Sequence, residues 1–246
     1  MLFSFYYTEK IAFFMRLKTT LMQDIIKLRR QKNIKPVSAI INDNYIIPGL
    51  NGLEIDINNS YSNMNQKNKI DEQLLYYKQV KPEISLEDNK DKIINKGNQA
   101  KKSLSIIIDD NKLLIYFIKH NIKCNLLIDN IPTTYNKSIE YVNNGIDNYS
   151  QIEKSLNKNN LNHNLCIIND NNKKICRLDN KYLIKPSYII NNSNMISYLK
   201  SIDNGDILYI KNLSINNIKI LLKEIDYHNL KIDYLSTLIS ENNSDF

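Results

Sequence analysis

From Ser103 onward the chain repeats one pattern: a short apolar run that reads as a strand, a segment of helical period, then another apolar run. Strands are expected at 103–109, 123–129, 146–149, 164–168, 182–190, 206–211 and 230–234, with helices at 112–121, 136–143, 151–157, 195–202 and 215–228. Such alternation demands parallel pairing, because each helix returns the chain to the end of the sheet where the last strand began. The last helix carries Ile215, Ile218, Leu221, Leu222 and Ile225 on one face, the stripe of a helix packed on a sheet. Strands with covering helices in this number predict an α/β fold, an incomplete or distorted (β/α)7 barrel in preference to an open three-layer sheet.

The region before Ser103 has a different texture. Residues 8–32 show helical periodicity through Ile11, Phe14, Leu17, Leu21, Met22, Ile25 and Leu28, and Pro36 stops the helix. Ala39-Ile40-Ile41 and Tyr45-Ile46-Ile47 flank Asp43-Asn44 as a hairpin. Leu53-Glu54-Ile55-Asp56-Ile57 alternates as a strand, a short helix is expected near 59–64, and the polar stretch 65–100 reads as an extended linker. Three segments follow: an N-terminal helix at 1–33, a small β-rich extension with its linker at 34–100, and the α/β domain at 101–246. The first fifteen residues are apolar but broken by Glu9 and Lys10, too short and too charged to span a bilayer, which takes about 20 apolar residues. They read either as a worn signal anchor or as a plain amphipathic helix.

A formal charge of +7 invites a nucleic-acid partner, yet the lysines and arginines are scattered among acids. The densest patch, Lys27-Leu28-Arg29-Arg30-Gln31-Lys32, closes a helix, where cations also suit the helix dipole. The charge therefore reads as a solvated face. Cys124, Cys166 and Cys176 are an odd count without CxxC spacing, which argues against a zinc knuckle or a disulfide framework. A Cys166-Cys176 bridge is open to an exported protein.

Three stretches together resemble the polysaccharide deacetylases, the NodB-homology family, in a bacterial branch with an N-terminal extension. The extension is carried by Leu21-Met22-Gln23-Asp24-Ile25-Ile26, by 39–52 with its Asn42-Asp43-Asn44 and Pro48-Gly49-Leu50-Asn51-Gly52, by Asp56-Ile57-Asn58-Asn59-Ser60-Tyr61 and by Val80-Lys81-Pro82. The second stretch is Leu113 to Asp129, where a helix runs into Asn121-Ile122-Lys123-Cys124-Asn125-Leu126-Leu127-Ile128-Asp129. The third joins Ile184-Lys185-Pro186-Ser187 through Gly205-Asp206-Ile207-Leu208-Tyr209-Ile210 to the C-terminal helix and final strand.

The resemblance implies what a working site would contain. Hydrolysis of an N-acetyl group uses a metal held by two imidazoles and a carboxylate, a second carboxylate as base and a later histidine as acid. The family places its carboxylates at the end of the first barrel strand, so Asp109 would be the base and Asp110 the ligand in Ile108-Asp109-Asp110-Asn111. The Gly-Pro that follows in the family is missing, and Asp-Asp at a strand end commonly caps a helix. Tyr149 and Glu153 stand where the resemblance places the two imidazoles, and such a pair does not reproduce a neutral two-histidine site. His120, His163 and His228 lie far from these motifs and read as surface residues.

No metal or other cofactor is therefore expected. The favoured expectation is a catalytically degenerate deacetylase-like protein, exported or membrane-anchored in a bacterium, with a cytoplasmic location as the alternative. It would bind a glycan or cell-wall partner at the barrel mouth, with Tyr149, Tyr188 and Tyr209 as candidate stacking faces and core or rim packing as their commoner use. One alternative is an active N-deacetylase rebuilt on Asp109, Asp110 and Asp147 around a hard divalent metal such as magnesium or manganese. Another is a basic module for nucleic acid or an anionic membrane, resting on net charge and residues 1–33.

Overall fold

The computed structural model describes residues 10–11, 14–145, 147–169 and 172–243. In chain order its elements are α1 (Thr20–Lys32), β1 (Ile40–Asn42), β2 (Tyr45–Ile47), β3 (Gly52–Ile55), α2 (Ile57–Met64), β4 (Tyr77–Val80), β5 (Ile93–Ile94) and β6 (Ser103–Ile108). There follow α3 (Asn111–Lys119), β7 (Asn125–Ile128), β8 (Glu140–Asn143), α4 (Tyr149–Lys158), β9 (Leu165–Ile167), α5 (Lys173–Leu178) and β10 (Tyr182–Ile184). The chain closes with β11 (Tyr188–Ile190), α6 (Met195–Leu199), β12 (Ile207–Ile210), α7 (Ile215–Tyr227), β13 (Lys231–Ile232) and α8 (Leu235–Ile239). Two compact units result, one of the segment up to Val37, Asn51–Pro82 and the segment from Asn242, the other of Ser38–Leu50 and Glu83–Glu241.

In the first unit α1 presents Leu21, Met22 and Ile25 to Ile55, Tyr61 and Met64. The single helix expected over 8–32 is interrupted at Lys18-Thr19. Thr19 is the cause: its hydroxyl donates to the Arg16 carbonyl at 2.7 Å and accepts from the Met22 amide at 3.3 Å, so it caps a new helix. Residues 8–9 and 12–13 of that expected helix, and most of the apolar segment from Met1, lie outside the described residues. Asp56 caps α2 through the Asn59 amide at 3.0 Å, and β3 pairs antiparallel with β4. Arg29 pairs with Glu54 and Lys32 with Glu72, so the basic patch is partly neutralised where it stands.

The second unit is built on parallel strands. One sheet runs β11-β12-β6-β7-β8, with β13 also paired to β6; another runs β1-β2-β5-β10-β9. All six residues of β6 are buried, the signature of a strand covered on both faces. Its Leu104, Ile106 and Ile108 pack with Phe117 of α3, Ile152 of α4 and Leu221 of α7. On the opposite side Ile107, Leu127, Val142, Leu165, Ile167, Ile184 and Ile207 from both sheets surround Leu235, Leu238 and Ile239 of α8. The strands thus share one interior filled by a C-terminal helix, with each large apolar side chain contributing about 1.5–3 kcal/mol of burial. The fold is a mixed α/β, distorted parallel arrangement in which β8 and β9 belong to different hydrogen-bonded sheets.

The strand expected at 182–190 is present but changes partners midway. Lys185 donates its amide to Ile94 of β5, while Ser187 donates to Ile207 of β12, both at 2.8 Å. Pro186 between them has no amide to offer. The Ser187 hydroxyl bridges the two sheets, donating to the Asn95 carbonyl at 2.8 Å and accepting from the Ile207 amide at 3.0 Å. The stretch 65–100, expected as a linker, contributes β4 to the first unit and β5 to the second.

Two expectations fail between β7 and β9. The helix expected at 136–143 is instead β8, all four residues buried and paired parallel to β7 from Asn125↔Glu140 to Ile128↔Asn143. Its polar ends disguised it: Glu140 and Asn143 are buried because partners satisfy them, so the apolar alternation that betrays a strand is reduced to Tyr141 and Val142. The strand expected at 146–149 is overturned at Tyr149, which begins α4, and Ile146 lies outside the described residues.

Cys166 of β9 and Cys176 of α5 form a disulfide with Cα atoms 6.1 Å apart. Cys124 is free and buried, and burial pushes its thiol up to about 12. No described helix is long and apolar enough to cross a membrane. A thiol reagent is expected to label no cysteine in the folded, non-reduced protein and one per chain after denaturation. Replacing both Cys166 and Cys176 by Ala is expected to lower unfolding stability by about 2–4 kcal/mol in urea titrations.

Candidate functional site

The candidate site lies where the parallel strands end and loops gather. Asp109 follows β6 directly and is exposed. Its Oδ2 accepts a 2.6 Å hydrogen bond from the Tyr209 hydroxyl on β12, the strand beside β6. Burial raises the Tyr209 phenol above its usual value, and the bonded Asp109 carboxylate adds to the effect. Lys211 holds its ammonium 5.8 Å from the centroid of the same ring. Asp109 and Tyr209, two of the residues singled out from the sequence, are therefore brought together.

Asp110 has a different task. Its Oδ1 accepts from the Lys112 amide at 2.6 Å and caps α3, the helix that starts one residue later. A carboxylate at this position also faces the positive end of the helix dipole.

Tyr149 and Glu153 are not at an open mouth. Tyr149 is 5 % exposed and packs with Ile93, Leu183 and the disulfide sulfurs' residues Cys166 and Cys176. As a stacking face for a sugar it is corrected to a core residue, since the ring has no surface left to offer. Glu153 sits one helical turn later and is also buried. Its Oε2 takes the Lys181 ammonium at 2.5 Å and the Asn162 amide at 2.8 Å, and its Oε1 takes the Asn143 amide at 2.8 Å. Lys181 is itself 4 % exposed and lies 5.7 Å from the Tyr149 ring centroid. Both positions that the resemblance assigns to imidazoles are thus parts of one buried ion-pair cluster.

Tyr188 is half-buried against Tyr198, ring centroids 4.9 Å apart, and Asp147 is exposed in the turn before α4. His120 ends α3 stacked on Tyr116, His228 ends α7 with its Nε2 3.4 Å from Glu224, and His163 lies before β9 with its Nδ1 3.6 Å from Glu140. Among the described residues no group of three His, Cys, Asp or Glu side chains converges as a metal centre requires. The residues present do not fit the metal that the resemblance implies: one candidate ligand caps a helix and another already holds an ammonium.

Near the position of the family's later histidine, Asp206 is 1 % exposed, with Lys96 at 3.4 Å and the Asp203 amide at 2.7 Å. Burial raises its carboxyl above the usual range, and Lys96 offsets only part of that. Sequence reading missed both Lys181 and Asp206 as structural charges. The available signal for Lys181 was a lysine set directly against the apolar strand Tyr182-Leu183-Ile184.

No family model matches the chain. A search of solved structures finds a CE4 family pseudoenzyme from Bacillus anthracis at TM-score 0.55 and 18% identity, covering 92% of this chain and 96% of that one. A mutant of that pseudoenzyme with restored enzymatic activity matches at TM-score 0.54 and 19% identity over 91% and 99% of the two chains. The uncharacterized protein YlxY of Bacillus subtilis is 32% identical over 120 residues, 46% of this chain and 38% of that protein. The chain therefore matches well under half the length of this curated bacterial relative. The structural likeness establishes a fold shared with these CE4 pseudoenzymes, and the matches point to a bacterial setting.

Replacing Lys181 by Met is expected to destabilise the protein by about 3–5 kcal/mol, because Glu153 would remain buried without its counter-charge. Exchanging Lys181 and Glu153 together for Met and Leu is expected to cost far less, and denaturant titration of the two variants separates these outcomes. Asp206 titrates with the opposite sign to a salt-bridged surface acid. Its folded value lies above the unfolded value near 3.9, so its cost is absent below that pH and grows as pH rises through the folded value. Stability is expected to fall over that interval, and Asp206→Asn is expected to flatten the decline in melts taken at successive pH values.

Proposed function

We propose that this chain is a catalytically degenerate polysaccharide-deacetylase-type protein that binds a glycan or cell-wall polymer at the C-terminal ends of its parallel strands. One observation carries the first half: Glu153 is neutralised by the Lys181 ammonium at 2.5 Å in the place where the resemblance calls for an imidazole. A covalently tethered cation cannot act as a Lewis acid toward a carbonyl or lower the pKa of a bound water. Asp110, occupied with the Lys112 amide, and Tyr149, buried, support the same conclusion.

The binding half is supported by what remains at the mouth. Asp109, Tyr209 and Lys211 form a linked polar group with one ring, one carboxylate and one ammonium. Hydroxyl-rich sugars are recognised by such combinations of a flat face and fixed hydrogen-bonding groups. The disulfide between Cys166 and Cys176 is in keeping with an exported protein, since such bonds persist in oxidising compartments.

Metal analysis of purified protein, together with acetate release from N-acetylated oligosaccharides, tests the proposal. The expected result is no turnover with any added divalent metal. Asp110→Ala is expected to cost about 0.5–2 kcal/mol of stability through loss of the cap. Turnover abolished by that substitution would instead establish a living enzyme. Binding to an immobilised glycan panel is expected to weaken in Tyr209→Ala, and equal retention of both proteins would remove the mouth as the binding site.

A further inference from the structure

Midway between β10 and β11 the backbone leaves one sheet for the other, and the parting strands open a cleft of about 360 Å³. That volume suits one small ligand, since such clefts run from about 300 to 1,000 Å³. β5 and β10 both stop at its edge, followed by Asn95-Lys96 and by Lys185. Parallel sheets place ligands in this setting, outside the carboxyl ends of strands where the chain changes neighbours. Asp206 forms the far wall just ahead of β12, so the cleft and Lys211 lie at opposite ends of that strand. The Ser187 hydroxyl is bonded to both sheets, which sets the width of the cleft before any ligand enters.

Several polar groups here are not spent within the protein. The Asn95 Oδ1 is buried and has no hydrogen-bond partner among the described residues. Such orphaned acceptors are rare, because the bonds to water lost on burial go unreplaced. Lys185 is exposed and pairs with no carboxylate among the described residues. Its ammonium donates to the Tyr45 hydroxyl at 3.3 Å and lies 5.6 Å from the centroid of that ring. The Tyr45 hydroxyl accepts this bond and keeps its own proton to donate. Lys96 is set beside Asp206 by the Gly97 amide, which donates to the Gly205 carbonyl at 2.6 Å. Its ammonium stands 3.4 Å from Asp206 and 3.6 Å from Asp203, long for an N–H···O bond of about 2.7–3.2 Å, so it is free to turn toward a ligand. Two ammoniums and one carboxylate line the cleft, while Asp203 lies outside it with 66% of its side chain in water to screen its charge.

We propose that this cleft binds a hydroxylated organic acid, a sugar that carries one carboxylate or phosphate group. Lys185 and Lys96 hold the acidic group, with the Tyr45 hydroxyl as a further donor, and a ligand hydroxyl donates to the Asn95 oxygen. A neutral sugar leaves the excess positive charge of the lining unanswered. A bare inorganic anion such as sulfate has no proton to give Asn95. The site stands apart from glycan binding at the Asp109 end and does not depend on it.

Saturation-transfer NMR and calorimetric titration of the full chain with glucuronate, glucose 6-phosphate and glucose test the site. One acidic sugar per chain is expected with a Kd below about 1 mM, and glucose is expected to bind at least about tenfold more weakly. Lys185→Met is expected to weaken the acidic sugar at least about tenfold. Lys185 is exposed, so this variant is expected to fold, and a melt matching the parent verifies that. Asn95→Leu is expected to weaken binding too while keeping the fold, because the oxygen it removes has no partner to strand. Lys219→Met, the same charge change on the exposed face of α7, is expected to bind as the parent does. Whichever acid binds more tightly identifies carboxylate or phosphate as the group held. Glucose binding as tightly as the acids, unchanged affinity in Lys185→Met, or no binding of either acid at about 10 mM would each overturn the assignment. Loss in Tyr209→Ala with Lys185→Met unaffected would place the sugar at the Asp109 end instead and overturn it as well.

Discussion

A parallel strand buried on both faces is the constraint from which the second unit follows. Ser103–Ile108 has no side that water reaches, so helices must cover one face and something apolar must fill the other. The filling comes from Leu235, Leu238 and Ile239 near the end of the chain. Because that helix is inserted among strand ends, its first amides need partners inside the protein. Asn125 accepts from Leu235 and Glu140 from Ser236, each at 2.9 Å. The buried polar residues at the starts of β7 and β8 therefore seat the plug.

Around Glu153 the structure shows how a buried carboxylate is satisfied by the protein's own groups. An ion held by imidazoles and a carboxylate neutralises charge that would otherwise be unfavourable to bury. Here Lys181 does so for Glu153, with Asn143 and Asn162 completing the carboxylate's hydrogen bonds. The arrangement gives both oxygens of the carboxylate donors within the protein. Asp110 follows the same logic, its carboxylate serving the Lys112 amide. Asp110 and Glu153 thus each have partners within the protein, one at a helix start and the other in the core.

How much was legible in the sequence depended on whether a residue's role was local. The helix stripe of Ile218, Leu221 and Ile225, the hairpin around Asp43-Asn44 and the apolar run of β6 are set by periodicity and turn chemistry within a few residues, and the structure has them in place. The Asp110 cap was readable for the same reason. Glu140–Asn143 was misread as helix because two of its residues are polar and their burial depends on Asn125, Ser236 and Glu153, far away in the chain. Tyr149 was placed at the mouth by motif spacing, but α4 begins at that residue and turns its ring into the core around Cys166 and Cys176.

By itself the sequence determined the alternation of strands and helices, the parallel α/β class and the shortage of histidine where a metal would need it. Those properties reside in residue type and short-range order, which survive any rearrangement of the chain. Only the tertiary structure decided that Lys181 answers Glu153, that Tyr209 binds Asp109 and that His163 faces Glu140. Each pairing joins segments separated by many residues, and electrostatic interaction is fixed by distance and burial in space, quantities that a linear order of residues does not contain.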